Sequence, residues 1–400
     1  MYFAGFIMRN LNDWAVEPFL CRACFFRLWS VESELLFNGQ SYDHMNEKHL
    51  PSLSIRNYRS LDYLDIDRLG CVNLIVGPNN IGKSSLLEAI LLWGTKRHFL
   101  TIRDILRSRD ECNVDYPDHF DIAPFLGLHH LFSDFPELSS KIPPIAISTL
   151  EGKYPVSLQI ADASHDAATL AVAAGPLVAF DLSNDPKQPV PLLIGGTLQL
   201  PPNGDVQFAH YLNNKCLYLS PSVSNASRVP ASRLWEQVEI SGRETAVIDS
   251  LRLIEKQIER IFFIGSGSRI PVCRIKGQER PIPLHGMGDG VSRLFDLTLG
   301  IVNVACGICL IDEFENGLHW SVQEQVWDVV FQTAKKLDVQ VFATTHSSDT
   351  LKAFQTVATQ QEDKNSGGII QMRKQNGKTV AKSIFGEDIQ NVLQYEVEVR

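Results

Sequence analysis

The 400-residue chain is 44% hydrophobic, 21% charged and 9% aromatic, the balance of a folded globular protein rather than a disordered or fibrous one. A net charge of -9 and a pI near 5.7 exclude a general basic field for nucleic acid. Two local basic runs remain, Lys96, Arg97, Arg103, Arg107 and Arg109, then Arg269, Arg274, Lys276 and Arg280, and both read as solvated faces.

Residues 1–44 show no clean helical or strand period, and 1–48 read as an N-terminal extension, with Met45, which opens directly onto a strand pattern, as an alternative start. The N-terminal segment lacks the ordered charged, apolar and small-residue regions of a secretory signal. The longest apolar stretch, Leu297 to Ile311, is shorter than a membrane span and holds Thr298, Gly300 and Asn303. A cytoplasmic protein with no membrane partner is expected. Among eight cysteines, Cys21/Cys24 remains open as a redox or metal pair, although one pair cannot close a tetrahedral site. Cys306 and Cys309, which strand alternation would point to opposite faces, read as small buried hydrophobes.

From Leu53 the pattern predicts strands: Leu53 and Ile55 alternate, a turn falls at Asn57 to Ser60, and Leu64 and Ile66 alternate again. Cys71 to Val76 is an almost continuous apolar run, as in a strand covered on both faces. Leu86, Leu87, Ile90 and Leu91 then form a helical stripe that Gly94 can end. In the middle region Val156, Leu158 and Ile160 alternate, and Pro201-Pro202-Asn203-Gly204 joins Leu198 and Leu200 to Val206 and Phe208 as a hairpin. Val247, Leu251, Ile254, Ile258 and Ile261 predict a packed helix, too short in repeat for a coiled coil. A helix from about Ser292, a strand over Gly307 to Asp312, a helix from about Trp320 to Lys336 and a strand over Val339 to Thr345 complete a β-α-β pattern.

Gly77, Pro78, Asn79, Asn80, Ile81, Gly82, Lys83 and Ser84, followed by Ser85, match G-x-x-x-x-G-K-[ST] at every fixed position, with a strand entering and a helix leaving. Such a loop aims backbone N–H groups and a helix N-terminus at phosphates. Lys83 then neutralises β- and γ-phosphate oxygens, and the Ser84 hydroxyl ligates Mg2+. Asp312 and Glu313 end an apolar strand, where ligands bind in open α/β sheets. Asp312 is the expected second metal ligand and Glu313 the base for the attacking water. His346, at the end of the next strand, falls beside the γ-phosphate in this strand order.

Together these residues resemble the ABC-type ATPase heads of the SMC, RecF and OLD (overcoming lysogenisation defect) proteins, and most closely the stand-alone bacterial RecF-like AAA family ATPases. The resemblance covers residues 49–400. It implies an α/β P-loop NTPase of the ABC-type head class, with a mixed or parallel sheet core, an antiparallel β subdomain and an inserted β-rich and helical lobe over 96–260. The signature, Walker B, D-loop and switch segments then occupy 281–354. Asn57-Tyr58-Arg59-Ser60 is similar to a turn whose basic residue, here Arg59, lies near the phosphates. Gly286 to Gly290 stands in the place of the signature, with Gly288 where serine is usual; sensing there falls to backbone N–H groups or Ser292. Glu315-Asn316-Gly317-Leu318-His319 resembles the D-loop and His346 the switch histidine.

The resemblance implies ATP and Mg2+ as cofactors and an ATP-dependent homodimer, in which Gly288, Gly290 and Asn316 of one copy complete the site of another. A protein partner encoded nearby and DNA are candidate partners, and DNA maintenance or phage defence the candidate process, by family analogy. A slow ATP-dependent protein-binding switch is the alternative, and a transporter subunit a weaker one. No [NT]KxD guanine-reading motif is present, no local pattern singles out a Q-loop glutamine, and the segment after His346 is too short for the nuclease domain of OLD-type proteins.

Overall fold

Apolar runs become buried strands in the computed structural model, which describes residues 49–96, 99–111, 129–136, 142–161, 177–180, 190–192, 215–220, 230–265 and 269–391. The hairpin β1 (Leu53–Tyr58) and β2 (Leu61–Ile66) leads into β3 (Val72–Val76), helix α1 (Lys83–Gly94) and helix α2 (Phe99–Ser108). Strands β4 (Ile145–Ser148), β5 (Val156–Ala161), β6 (Leu177–Phe180), β7 (Val190–Leu192) and β8 (Cys216–Leu219) follow. Helices α3 (Ala231–Ile240) and α4 (Glu244–Leu251) precede strands β9 (Ile258–Ile264), β10 (Ile270–Ile275) and β11 (Ile282–Pro283). The last part is α5 (Asp289–Asn303), β12 (Ile308–Ile311), α6 (Gln323–Leu337), β13 (Gln340–Thr344), α7 (Ser348–Gln360), the hairpin β14 (Gly367–Gln375) and β15 (Lys378–Phe385), and the short helix α8 (Asp388–Asn391).

Among the described residues the central sheet has the order β15-β14-β3-β13-β12-β8. All neighbours are parallel except β14 and β15. Every residue of β3, β12 and β13 is buried, as expected where helices cover both faces of a parallel sheet. The one polar residue inside β3, Asn73, is satisfied: it accepts from the Gly70 N–H and donates to the carbonyls of Gly70 and Val341. Helix α1 crosses this core. Its predicted stripe is buried, and so are Glu88, Ala89, Leu92 and Trp93, so the helix is enclosed rather than one-sided.

A second sheet, β2-β1-β4-β5-β6-β7, is antiparallel throughout. The strands of the inserted region therefore extend the N-terminal hairpin, whereas β8 joins the central sheet. A third antiparallel sheet, β11-β10-β9, stands before α5.

One predicted element is corrected. The helix over Val247 to Ile261 ends at Leu251, and Ile258 and Ile261 lie on strand β9. Their spacing of three misled because the register of β9 on β10 shifts between Ile258↔Ile275 and Arg260↔Arg274, leaving Glu259 as an extra residue. A bulge of this kind returns residues three apart to the same face, and both isoleucines are buried. Helix α5 also begins at Asp289, a turn earlier than expected. Cys306 precedes β12 rather than alternating within it, while Cys309 is buried inside it. The predicted hairpin at 198–208 and the Cys21/Cys24 pair lie outside the described residues. No described helix is long and apolar enough to cross a membrane.

Candidate active site

The loop from β3 to α1 is shaped by two glycines. Gly82 has φ 103, and a Cβ there would sit 2.6 Å from the Ser60 hydroxyl; a Cβ on Gly77 would sit 2.4 Å from the Met372 carbonyl oxygen. Only a residue without a side chain passes between these neighbours. The Lys83 side chain folds back under the loop: its Nζ donates to the carbonyls of Gly77 at 2.6 Å and Pro78 at 3.0 Å and lies 3.3 Å from His346 Nδ1. Burial lowers its pKa to about 8, against the opposing pull of the Asp312, Glu315 and Glu313 carboxylates. Asn79 and Asn80 are exposed at the loop tip, Ile81 and Ser85 are buried, and Ser84 is half-buried.

Strand order brings the carboxylates here. Because β12 pairs with β13 and β13 with β3, the ends of all three strands deliver Asp312, His346 and the loop to one edge. Asp312 accepts from the Tyr218 hydroxyl at 2.8 Å through Oδ2 and from the Thr344 hydroxyl through Oδ1. Thr344 Oγ1 in turn accepts the Glu313 N–H at 2.9 Å. Glu313 has φ 47, a left-handed backbone unusual outside glycine and asparagine. That conformation is braced by Arg293 on α5, which donates to the carbonyls of Asp312 at 3.1 Å and Glu313 at 2.9 Å. The Glu313 side chain is left exposed, while Phe314 is buried and stacks on Trp327 of α6, ring centroids 3.7 Å apart. The next carboxylate, Glu315, accepts the His346 backbone N–H at 2.7 Å.

Arg59 is placed in a buried ion cluster. Its guanidinium makes a bidentate pair with Glu111, both contacts 2.7 Å, and its Nε lies 3.0 Å from Glu88 on α1. Glu88 also accepts from Arg109 at 2.6 Å and from the Tyr58 hydroxyl at 3.1 Å. Arg59 thus ties the β1–β2 turn to α1, and Arg109, from the first basic run, is paired with Glu88 rather than free in solvent. Arg269, from the second basic run, pairs with Glu236.

Gly288, at φ 101, caps the start of α5, and Gly290 is half-exposed. Asp289 and Gly290 meet the Gly317 turn: a Cβ on Gly317 would lie 3.5 Å from Asp289 Cβ, and one on Gly290 4.0 Å from the Gly317 carbonyl. Gly288 and Asn316 are both exposed. Ser292 is buried, with Oγ 3.2 Å from His285 Nδ1. No fixed motif position marks Tyr218, Thr344 or Arg293, and Glu315, which opens the D-loop-like segment, carried no signal of its bond to the His346 N–H. Thr344, two residues before His346, carried the nearest thing to a signal.

A parallel sheet, a glycine-flanked loop running into a helix, and paired carboxylates at the adjoining strand end define an α/β P-loop NTPase. The family model described as "AAA ATPase domain" matches residues 49–133, and that described as "AAA domain, putative AbiEii toxin, Type IV TA system" matches residues 234–351. The ATP/GTP phosphatase of Helicobacter pylori is 21% identical over 380 residues, which cover 87% of this chain and 98% of that one. The DNA replication and repair protein RecF of Nitrosococcus oceani is 42% identical over 55 residues, 14% of this chain and 15% of RecF, so the chain matches only a small part of that relative. A solved SMC head bound to the C-winged helix domain of ScpA is similar at a TM-score of 0.45 and 13% identity, covering 86% of this chain and 100% of that one. The fold and the two family matches show a P-loop ATPase with AAA ATPase domain segments, and its likeness to RecF is confined to a short stretch.

Proposed function

We propose that the protein hydrolyses ATP in a Mg2+-dependent reaction at a site completed by a second copy. The observation that carries this reading is the setting of Lys83, an ammonium 5% exposed, held on two loop carbonyls beside His346 with three carboxylates acting on it. A desolvated cation at the mouth of a glycine-flanked loop is suited to phosphate oxygens. The Ser84 hydroxyl and the Asp312 carboxylate are hard oxygen donors of the kind Mg2+ takes. The ion held by them supplies neutralising charge for the phosphate oxygens.

In this reading Gly77 to Ser85 bind the phosphates and Lys83 exchanges its carbonyl partners for phosphate oxygens. Glu313, exposed and braced in its left-handed conformation, takes the proton of the attacking water, and His346 orients toward the γ-phosphate. The exposed positions Gly288 and Asn316, with the half-exposed Gly290, face the nucleotide held by the other copy. Service in DNA maintenance or phage defence is supported by the name of the RecF relative and by the toxin–antitoxin description of the model matched over 234–351.

Phosphate release and size-exclusion chromatography of wild type, Lys83→Ala and Glu313→Gln test the proposal. Glu313→Gln is expected to bind ATP, to lose turnover by roughly 100-fold or more, and to accumulate as a dimer. Wild-type turnover in Glu313→Gln would remove Glu313 as the base, and normal Mg-ATP binding by Lys83→Ala would remove the phosphate cradle.

A further inference from the structure

We propose that Tyr218 is a positioning residue that sets the orientation of the Asp312 carboxylate for the metal ion; this rests on Asp312 being a metal ligand. The geometry is specific. Tyr218 lies on the edge strand β8, which pairs in parallel with β12, Leu310 opposite Tyr218. Its hydroxyl reaches past the end of β12 to Asp312 Oδ2 at 2.8 Å, while Thr344, from the strand on the other side, holds Oδ1. A carboxylate on a single bond rotates unless its two oxygens are held separately. Here one hydroxyl from each neighbouring strand holds one oxygen, and each oxygen keeps a lone pair for a further partner.

The strand that carries Tyr218 is seated closely from three sides. A Cβ on Gly307 would lie 2.1 Å from the Lys215 carbonyl oxygen, one on Gly94 of α1 2.6 Å from Cys216 Sγ, and one on Gly300 of α5 2.6 Å from a Leu219 methyl. The strand therefore lies against the phosphate-loop helix, the helix that bears Arg293, and the backbone leading into β12. A four-residue edge strand placed this closely fixes where its tyrosine hydroxyl falls.

The test uses Tyr218→Phe, which removes one hydroxyl and keeps the ring, with Gly307→Ala, which must displace the backbone before β8 while leaving the phenol present, and Asp312→Asn. Circular dichroism checks each fold. Mn2+ affinity in the presence of a non-hydrolysable ATP analogue is read by electron paramagnetic resonance, and analogue affinity in EDTA by fluorescence. The expected result for Tyr218→Phe is about a tenfold weaker Mn2+ affinity, unchanged analogue affinity in EDTA, and kcat restored toward wild type at saturating Mg2+. Gly307→Ala should shift the same quantities in the same direction. Wild-type Mn2+ affinity in folded Tyr218→Phe, or a kcat loss that saturating metal does not restore, overturns the proposal. Wild-type Mn2+ affinity in Asp312→Asn overturns the metal-ligand reading beneath it, a separate failure.

Discussion

Lys83 Nζ and His346 Nδ1 lie 3.3 Å apart although 263 residues separate them in the chain. A lysine that donates here needs Nδ1 as the acceptor, a role set by the tautomer of the ring. The contact joins the phosphate loop at the end of β3 to the end of β13, its direct neighbour in the sheet.

The depressed Lys83 pKa gives a pH prediction. A lysine at about 8 in the folded chain and 10.5 when unconstrained binds fewer protons folded than unfolded between those values. Its contribution to stability therefore rises as pH climbs from 8 toward 10.5, and below 8 the buried charge is a cost. Phosphate favours the ammonium, so ATP binding near pH 8.5 should take up a fraction of a proton. Calorimetry in two buffers of different ionisation enthalpy reads this uptake. Lys83→Arg, permanently charged, should abolish it; identical enthalpies for wild type in both buffers would refute the assignment.

Arg293 braces the strained Glu313 peptide through two carbonyls. Without it the left-handed conformation at Glu313 loses its main support, and relaxation would turn the carboxylate away from its present position. Arg293→Ala is expected to lower kcat by about tenfold or more while ATP affinity changes little, and to cost roughly 1–3 kcal/mol of stability. Steady-state kinetics beside a urea titration separates the two effects.

Glu88 is the shared acceptor of a buried cluster, pairing with both Arg59 and Arg109. Removing Glu88 leaves Arg59 to Glu111 alone and takes the partner from the partly exposed Arg109, so the cost falls below the roughly 3–5 kcal/mol of a fully buried broken pair. Glu88→Gln should still lower the urea midpoint more than Lys153→Ala, whose partner Glu151 is exposed. Equal midpoints would mean that water reaches the cluster.

If Gly288 stands at a signature position, as the resemblance implies, a serine placed there should still not help. The Gly288 backbone stands at φ 101, ψ 157, a region open to glycine and strained for any L side chain. Gly288→Ser is expected to lose about 1–3 kcal/mol of stability and to slow turnover, although a Cβ there meets nothing within 4 Å. Faster turnover with unchanged stability would show that the segment readjusts at little cost.

The phosphate loop, the paired carboxylates and the strand–helix order around them were legible because each is a contiguous run whose chemistry depends on neighbours in sequence. Gly77 to Ser84 needs only its own backbone and the strand and helix that flank it, and an apolar run ending in Asp312-Glu313 states its own burial and exit. The helix expected through Ile261 failed for a local reason of another kind: a bulge opposite Ile275 restores to one face residues that a regular strand would alternate. Arg59 shows the limit of a motif. It was expected beside the phosphates, whereas its partners in the fold, Glu88 and Glu111, are set by how α1 and the end of α2 pack against the β1–β2 turn. Packing likewise sets the partners of Tyr218, Thr344, Arg293 and Glu315. Composition and local pattern determined that a strand, a glycine-flanked loop and a helix meet at Lys83. Only the strand order β3-β13-β12-β8 decided which hydroxyls hold Asp312 and which arginine braces Glu313, because hydrogen bonds across adjacent strands depend on positions far apart in the chain.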